Sequence, residues 1–322
     1  MVKVLIITSD ITGIIQKDSE ALKQMMERFA ECTFKVVAKG EETQEDILWA
    51  DVITGHPYRK LLKQANGLQW LHLQSAGVNG YEDLELYGNK NILLTRSADV
   101  FSVAMAEHAL GMLLALNRLL PFFIRQSLDH NWQRIHARYE LSGSTVLLLG
   151  CGSIAKEIAK RLKGFDCKVL GIKRDVTKPI EHFDQLYTNA QKDEAIAKAD
   201  YIINTLPLTD STFHYLSAHE FALMKQRTIF INVGRGKTVD TIALIEALQN
   251  KQIMGAGLDV FENEPLEVDS LLWEMDNVII TPHGSGDSLQ SEIRRLKLFE
   301  QQLSKFIKGE KLEFVVNFKK GY

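Results

Sequence analysis

Short runs of β-branched and aliphatic residues alternate along the chain with stretches of helical periodicity. VKVLII, FKVVA, ADVITG, LQWLHL and NILLT predict strands in the first hundred residues, with SEALKQMMERF a helix between the first two. A second series follows: STVLLLG, CKVLGI, ADYIINTL, TIFINVG, IMGAGLDV and NVIITPH, each separated by a helical segment. Strands that alternate with helices connect by crossovers and so build parallel sheets. At 322 residues the chain exceeds one ordinary core, and the two series suit two doubly wound α/β domains. Between them, FSVAMAEHALGMLLALNRLLPFF predicts a single buried helix. Its Glu107, His108, Asn117 and Arg118 make it too polar to cross a bilayer without partners.

The tail carries SEIRRLKLFEQQLSKFI, apolar at helical spacing, and then the short segment FVV. A helix with such a stripe packs its apolar face on a core. Six strands already fill the second series, so the tail is expected to return to the first domain. The expected organisation is discontinuous: residues 1–98 with 285–322 in one domain, 99–284 in the other.

Composition narrows the function classes. A 45% hydrophobic and 25% charged chain with formal net charge -3 is ordinary for a soluble protein and has no basic excess for gripping phosphate backbones. Nucleic acid is therefore not an expected partner, and neither is a membrane. Cys32, Cys151 and Cys167 lie far apart and form no CxxC pair, which argues against a disulfide framework or a zinc site and fits a cytoplasmic location. MVKVLIITSD has too short an apolar run for a signal peptide and suits a buried strand. His219-Glu220 has no second histidine four residues on, and Ser285 lies in HGSGD rather than a serine elbow, so neither a zincin nor a serine hydrolase is indicated. No metal is expected.

TVLLLGCGSIAKEIAKRL places Gly150, Gly152 and Ala155 as GxGxxA after a strand and before a helix. The first glycine allows the tight turn, the second lets a pyrophosphate approach the backbone, and the alanine lets helix and strand pack closely. The helix start then offers unpaired N–H groups to the phosphates. This is the pattern of a dinucleotide-binding Rossmann domain; a ligand-free glycine turn is the alternative.

About twenty residues on, the next strand should end where the adenosine ribose lies, and an acid usually stands there. This chain has Lys173 and Arg174 instead. Cations repel nothing on a 2′-phosphate, and arginine grips it in a fork, so the stretch favours NADP(H) over NAD(H). NAD(H) remains the alternative if the strand runs two residues further and Asp175 serves as the acid.

Three more segments stand at expected carboxyl ends of strands, where open α/β sheets bind ligands. They are INVGRGKTVD with Arg235, GLDVFENEPL with Glu264 and ITPHGSG with His283. Taken singly, each could be a turn or surface residue. Together they suit reduction of a 2-oxo carbon. Charge building on the carbonyl oxygen is met by a protonated imidazole. A neighbouring carboxylate stabilises the imidazolium, and a planar guanidinium matches the oxygens of the acid.

With GCGSIA, LPLTDSTFHYL, INVGRG, AGLDVFENEPL, TPH and, earlier, QSAGVNG in one collinear set, the chain resembles the D-isomer-specific 2-hydroxyacid dehydrogenase family over nearly its whole length. The resemblance implies a substrate-binding, flavodoxin-like domain and a Rossmann domain, a homodimer, and an active site in the cleft that closes to exclude water. It implies that Arg235 holds the substrate carboxylate and carbonyl, that His283 is the acid/base, and that Glu264 orients it. The amides at Ala76, Gly77 and Val78 would cradle the carboxylate. Ser153, Ile154, Leu206, Pro207, Thr212, Val233 and Gly234 would join Gly150, Gly152, Lys173 and Arg174 around the cofactor, with Asp259 on the nicotinamide amide.

Departures from the family pattern are Arg96 where asparagine is common, Ala98-Asp99 where Pro-Gly is, and GSGDS after the histidine. The missing acid at 173 and the terminal GY look like the glyoxylate/hydroxypyruvate reductase branch. A small 2-oxoacid such as glyoxylate or hydroxypyruvate is the expected substrate. A phosphoglycerate- or branched-ketoacid-type dehydrogenase, or a non-catalytic dinucleotide sensor resembling the corepressors of this family, are the alternatives.

Overall fold

The computed structural model describes residues 1–8, 16, 18–78, 80–135 and 139–318. The terminal Gly321 and Tyr322, part of the family resemblance, lie outside the described residues. The chain divides into two compact units, Met1–Phe101 with Asp287–Tyr322, and Ser102–Gly286.

The first unit holds β1 (Val2–Thr8), α1 (Glu20–Glu27), β2 (Cys32–Ala38), α2 (Gln44–Trp49), β3 (Val52–Thr54), α3 (Arg59–Leu62), β4 (Trp70–Leu73) and β5 (Leu93–Arg96). Its sheet runs β2-β1-β3-β4-β5, every pair parallel. The order reverses between β1 and β3, the point at which flavodoxin-like sheets open a crevice. Alternate residues of the strands enter two cores, one on each face: Leu5 and Ile7 on one side, Val4 and Ile6 on the other. The C-terminal helix Leu289–Ile307 belongs to this unit. Trp70 of β4 is fully buried and stacks on Phe299 of that helix at 5.6 Å, with Phe306 at 5.3 Å. Aromatic pairs of this kind contribute about 0.5–1.5 kcal/mol each beyond their area. The FVV segment then lies beside β5, where Val316 N–H donates to Leu94 O at 2.8 Å.

The second unit contains α4 (Ser102–Asn117), α5 (Leu120–Leu128), β6 (Thr145–Leu149), α6 (Ser153–Lys163), β7 (Lys168–Ile172), β8 (Gln185–Tyr187), α7 (Lys192–Lys198), β9 (Tyr201–Asn204), α8 (Ala218–Leu223), β10 (Ile229–Asn232), α9 (Thr241–Gln249), β11 (Gly255–Leu258) and β12 (Val278–Ile280). The sheet order is β12-β11-β10-β9-β6-β7-β8, all parallel. Both faces are covered, so the strands read as continuous apolar runs. Leu147, Leu149 and Leu170 enter one core and Val146, Leu148 and Val169 the other. Both units are therefore parallel-sheet α/β domains. The reversal between β6 and β9 puts a crevice at the carboxyl end of β6, where the glycine turn begins.

Two local readings differ from the sequence expectation. The segment expected to be one buried helix is two, α4 and α5, meeting at 69°. Leu119 takes φ 57° at the break, and Pro121 sits in the first turn of α5, where its missing N–H costs nothing. Among the described residues no single helix is long and apolar enough to cross a membrane. The second difference is β8, a seventh strand of three residues. Three residues are too few to show a two-residue alternation, and Gln185 at this sheet edge is exposed.

Candidate active site

The turn from β6 into α6 is made by Gly150, whose φ of +87° lies in the left-handed region that glycine alone enters without strain. Its N–H donates to Ile172 O at 3.1 Å, tying the turn to the end of β7. Gly152 is the N-cap of α6, and no side chain caps the helix. A Cβ on Gly152 would meet nothing within 4 Å, so space lies open in front of the first-turn amides of Ser153 and Ile154. Ala155 is fully buried beneath them. An uncapped helix start with open space before it fits a pyrophosphate.

β7 ends at Ile172, and Lys173 N–H still donates to Tyr187 O of β8 at 3.0 Å. Lys173 and Arg174 thus follow the strand directly. Asp175 is spent locally: its carboxylate accepts from Thr177 N–H at 2.9 Å and Thr177 Oγ1 at 2.6 Å, bonds that hold its carboxyl below the usual range. Cys151, inside the glycine turn, has a thiol pushed up to about 12 by burial, while the ammoniums of Lys173 and Lys156 pull the other way. The Lys173 charge is therefore felt at the dinucleotide turn.

β9 and β10 end in register on two asparagines, Asn204 and Asn232, both buried. Asn204 Nδ2 donates to Asn232 Oδ1 at 3.0 Å and to Thr238 Oγ1 at 2.7 Å. Its Oδ1 accepts from Leu206 N–H at 3.1 Å, and Asn232 Oδ1 accepts from Gly234 N–H at 3.1 Å. Thr238 Oγ1 closes the network on Arg235 O at 2.5 Å. One buried amide pair thus fixes the loops that carry Leu206 and Arg235, and a fully satisfied buried network holds its loops rigidly. Pro207 O accepts from Thr212 Oγ1 at 2.7 Å, which turns the exposed loop after β9. Val233 is fully buried in the core, so only its backbone borders the loop.

Gly236 brings the arginine loop against the glutamate loop. A Cβ there would stand 1.8 Å from Phe261 O, so only glycine permits the approach. Glu264 Oε1 accepts from Phe261 N–H at 3.0 Å, and Oε2 lies 2.7 Å from His283 Nδ1. An ionised carboxylate only accepts, so His283 carries its proton on Nδ1 and Nε2 is left for exchange. Arg235 is half-buried, with Nη1 on Gly234 O at 2.7 Å. Phe261, Leu266, Trp273, Ile280 and Pro282 wall a recess of about 560 Å³ at whose border Glu264 and His283 stand.

Asp259 is bonded to the loop that carries His283. It is fully buried, and its carboxylate accepts from Thr281 Oγ1 at 2.6 Å, Gly284 N–H at 3.0 Å and Ser285 N–H at 3.1 Å. Its backbone oxygen takes His283 N–H at 2.8 Å. His283 has φ 52°, a conformation that non-glycine residues adopt only when surroundings impose it. Asp259 supplies that constraint. His108 of α4 extends it, with Nε2 3.0 Å from Thr281 Oγ1.

In the first unit the loop after β4 carries Ala76 and Gly77, half-buried, and Val78, buried. Their amides donate to no acceptor among the described residues. Asn204, Asn232, Thr238 and His108 did not emerge as functional from the sequence. The signal for the asparagines was a polar residue closing each of two apolar strands.

The family comparison matches residues 110–285 to the D-isomer specific 2-hydroxyacid dehydrogenase, NAD binding domain. The chain is 31% identical over 322 residues to D-3-phosphoglycerate dehydrogenase of Methanocaldococcus jannaschii, covering 98% of this chain and 60% of that protein. It thus spans less than two thirds of that relative's length. It is 34% identical over 252 residues to glyoxylate reductase of Pyrococcus furiosus, covering 74% of this chain and 73% of that one. The solved NADPH-dependent glyoxylate/hydroxypyruvate reductase of Sinorhizobium meliloti, in complex with NADP and sulfate, superposes with TM-score 0.83 at 26% identity over 100% of both chains. The chain belongs to the D-isomer specific 2-hydroxyacid dehydrogenase family, a family of nicotinamide-dependent oxidoreductases.

Proposed function

We propose that the protein reduces a small 2-oxoacid, glyoxylate or hydroxypyruvate, to the D-2-hydroxyacid with NADPH as the preferred reductant. The observation that carries this reading is the Glu264–His283 pair, 2.7 Å apart, with His283 on a loop held by Asp259 in the same unit as the glycine turn. Gly150, Gly152 and the α6 amides would hold the dinucleotide, whose reduced nicotinamide supplies the hydride. The amides at 76–78 hold the substrate carboxylate. Arg235 steadies the carboxylate and polarises the carbonyl. His283 Nε2–H gives its proton to the oxygen as charge develops there, and Glu264 stabilises the imidazolium beforehand.

Support for NADPH is that Lys173 and Arg174 directly follow the strand end at Ile172, that Asp175 is engaged by Thr177, and that the Lys173 charge acts on Cys151 of the glycine turn. Support for a homodimer is an apolar stripe along α5, where Leu120, Ile124 and Leu128, four residues apart, are 47%, 60% and 75% exposed, with Trp132 beyond the helix end 96% exposed. Patches of this kind usually mark interfaces. Three free cysteines fit a reducing, cytoplasmic setting. The phosphoglycerate dehydrogenase relative favours a second reading, oxidation or reduction at a phosphorylated substrate.

The experiment is kcat/KM for glyoxylate, hydroxypyruvate, pyruvate, a branched 2-oxoacid and 3-phosphohydroxypyruvate, each with NADPH and NADH. The highest value is expected for glyoxylate or hydroxypyruvate with NADPH. A preference for the phosphorylated substrate establishes the second reading, and a preference for NADH overturns the cofactor assignment.

A further inference from the structure

Four consecutive carbonyls in the loop after β4 are tied down from within the first unit. Ser75 O accepts from Ser97 N–H at 3.0 Å and Val78 O from Tyr81 N–H at 2.8 Å. Ala76 O accepts from Arg96 Nη1 at 2.8 Å. Gly77 O accepts from Ser75 Oγ at 2.6 Å. In a planar trans peptide the C=O and the next N–H point in opposite directions. Fixing the carbonyls of Ser75, Ala76 and Gly77 therefore fixes the amides of Ala76, Gly77 and Val78, each directed away from its own carbonyl, and donors held in place in this way suit an anion.

Gly77 makes such fixing necessary. Glycine has no Cβ to bias its backbone, so the peptides flanking it can rotate unless something holds them. Arg96 holds one and Ser75 the other. Behind Ser75 stands His56, with Nε2 2.9 Å from Ser75 Oγ. The serine hydrogen is committed to Gly77 O, so the serine oxygen accepts and the imidazole donates from Nε2. Burial, then the charges of Lys39 and Arg295, lower His56 to about 4, which keeps the ring neutral near pH 7.

We infer that His56, Ser75 and Arg96 are positioning residues for the substrate carboxylate: a His56–Ser75 relay locks the Gly77 carbonyl and Arg96 locks the Ala76 carbonyl, so that three amides converge on one anion. The identity of that anion as a 2-oxoacid rests on the function proposed above. The arginine at 96, a departure from the family's common asparagine, thus has a definite task. Neither relay residue touches the substrate, and each acts through the peptide it holds.

The test uses oxalate, an inert mimic of the 2-oxoacid's oxygens, titrated calorimetrically into the full chain saturated with NADP+, beside steady-state KM values. Ser75→Ala and Arg96→Met should each weaken oxalate about tenfold and raise KM for the 2-oxoacid by a similar factor, with NADP+ affinity within twofold of wild type. Ser75→Thr, which keeps the hydroxyl, should bind oxalate within threefold of wild type. If Ser75→Ala does not fold, His56→Leu is read in the same way, with a smaller loss expected. Unchanged oxalate binding in these variants overturns the inference, as does an equal loss of oxalate and NADP+, which marks general loosening. A wild-type protein that reduces no 2-oxoacid but binds oxalate in a Ser75-dependent way overturns the reductase reading and upholds the relay.

Discussion

Both units end their parallel strands in loops fit to meet a ligand, yet they equip those loops with opposite chemistry. In the second unit the groups are side chains: a guanidinium at Arg235, and a carboxylate and imidazole 2.7 Å apart at Glu264 and His283. In the first they are backbone amides at 76–78, and the side chains there serve the carbonyls instead, Ser75 and Arg96 directly and His56 through Ser75. Proton transfer needs a group that changes charge, which only a side chain offers. Holding a carboxylate needs only donors at fixed positions, which a backbone provides at no side-chain entropy cost. The histidines show the same division. His283 is exposed and paired with an acid, whereas His56 is half-buried and His72 buried, His72 with both ring nitrogens bonded to Thr95 and Ser97.

The contrast breaks most sharply at His283. His283→Ala should lower kcat for 2-oxoacid reduction by about 10²–10⁴, measured at saturating substrate and cofactor; a loss below threefold would place the acid elsewhere. A somewhat smaller effect is expected from acid on the first unit. His56 is lowered to about 4 and His72 to about 3, burial being the main cause for both, with Arg295 adding for each, Lys39 for His56, and His56 for His72. Below about pH 6.5 the unfolded chain binds protons at these rings that the folded chain does not, so stability falls as pH drops from about 6.5 toward 4. The loss for His56 alone is on the order of 3 kcal/mol when titration is complete. Urea midpoints across that range should fall more steeply for wild type than for His56→Gln; parallel curves would show that the ring already titrates in the fold. The smallest effect is on cofactor choice. Replacing Lys173 and Arg174 by alanine should cut kcat/KM for NADPH about 10- to 100-fold through loss of charge-assisted bonds while changing NADH less than threefold. Equal losses for both cofactors would remove the phosphate clamp.

Side-chain chemistry was legible in the sequence because it comes as residue types in motifs. Gly150 and Gly152 announced the turn, and the motifs carrying Glu264 and His283 marked two residues that the fold brings into contact. The parallel sheets followed from the alternation of apolar runs with helices. Backbone chemistry was far less visible. QSAGVNG suggested a cradle only through resemblance, and nothing in the string tied Arg96 or His56 to it, since those bonds span 20 and 19 residues. Asp259 shows the same limit: an acid in a motif suggests a ligand, and the three loop donors that also make it a brace for His283 are not visible in the string. The break at Leu119 escaped because a leucine at φ 57° is imposed by packing rather than by local preference.

The most direct test of the account is a single turnover of hydroxypyruvate by enzyme loaded with NADPH, followed by chiral analysis of the product. One D-glycerate formed for each NADPH consumed is the predicted result. Firm NADPH binding with no reduction of hydroxypyruvate, glyoxylate or any other 2-oxoacid, or formation of L-glycerate, would contradict it.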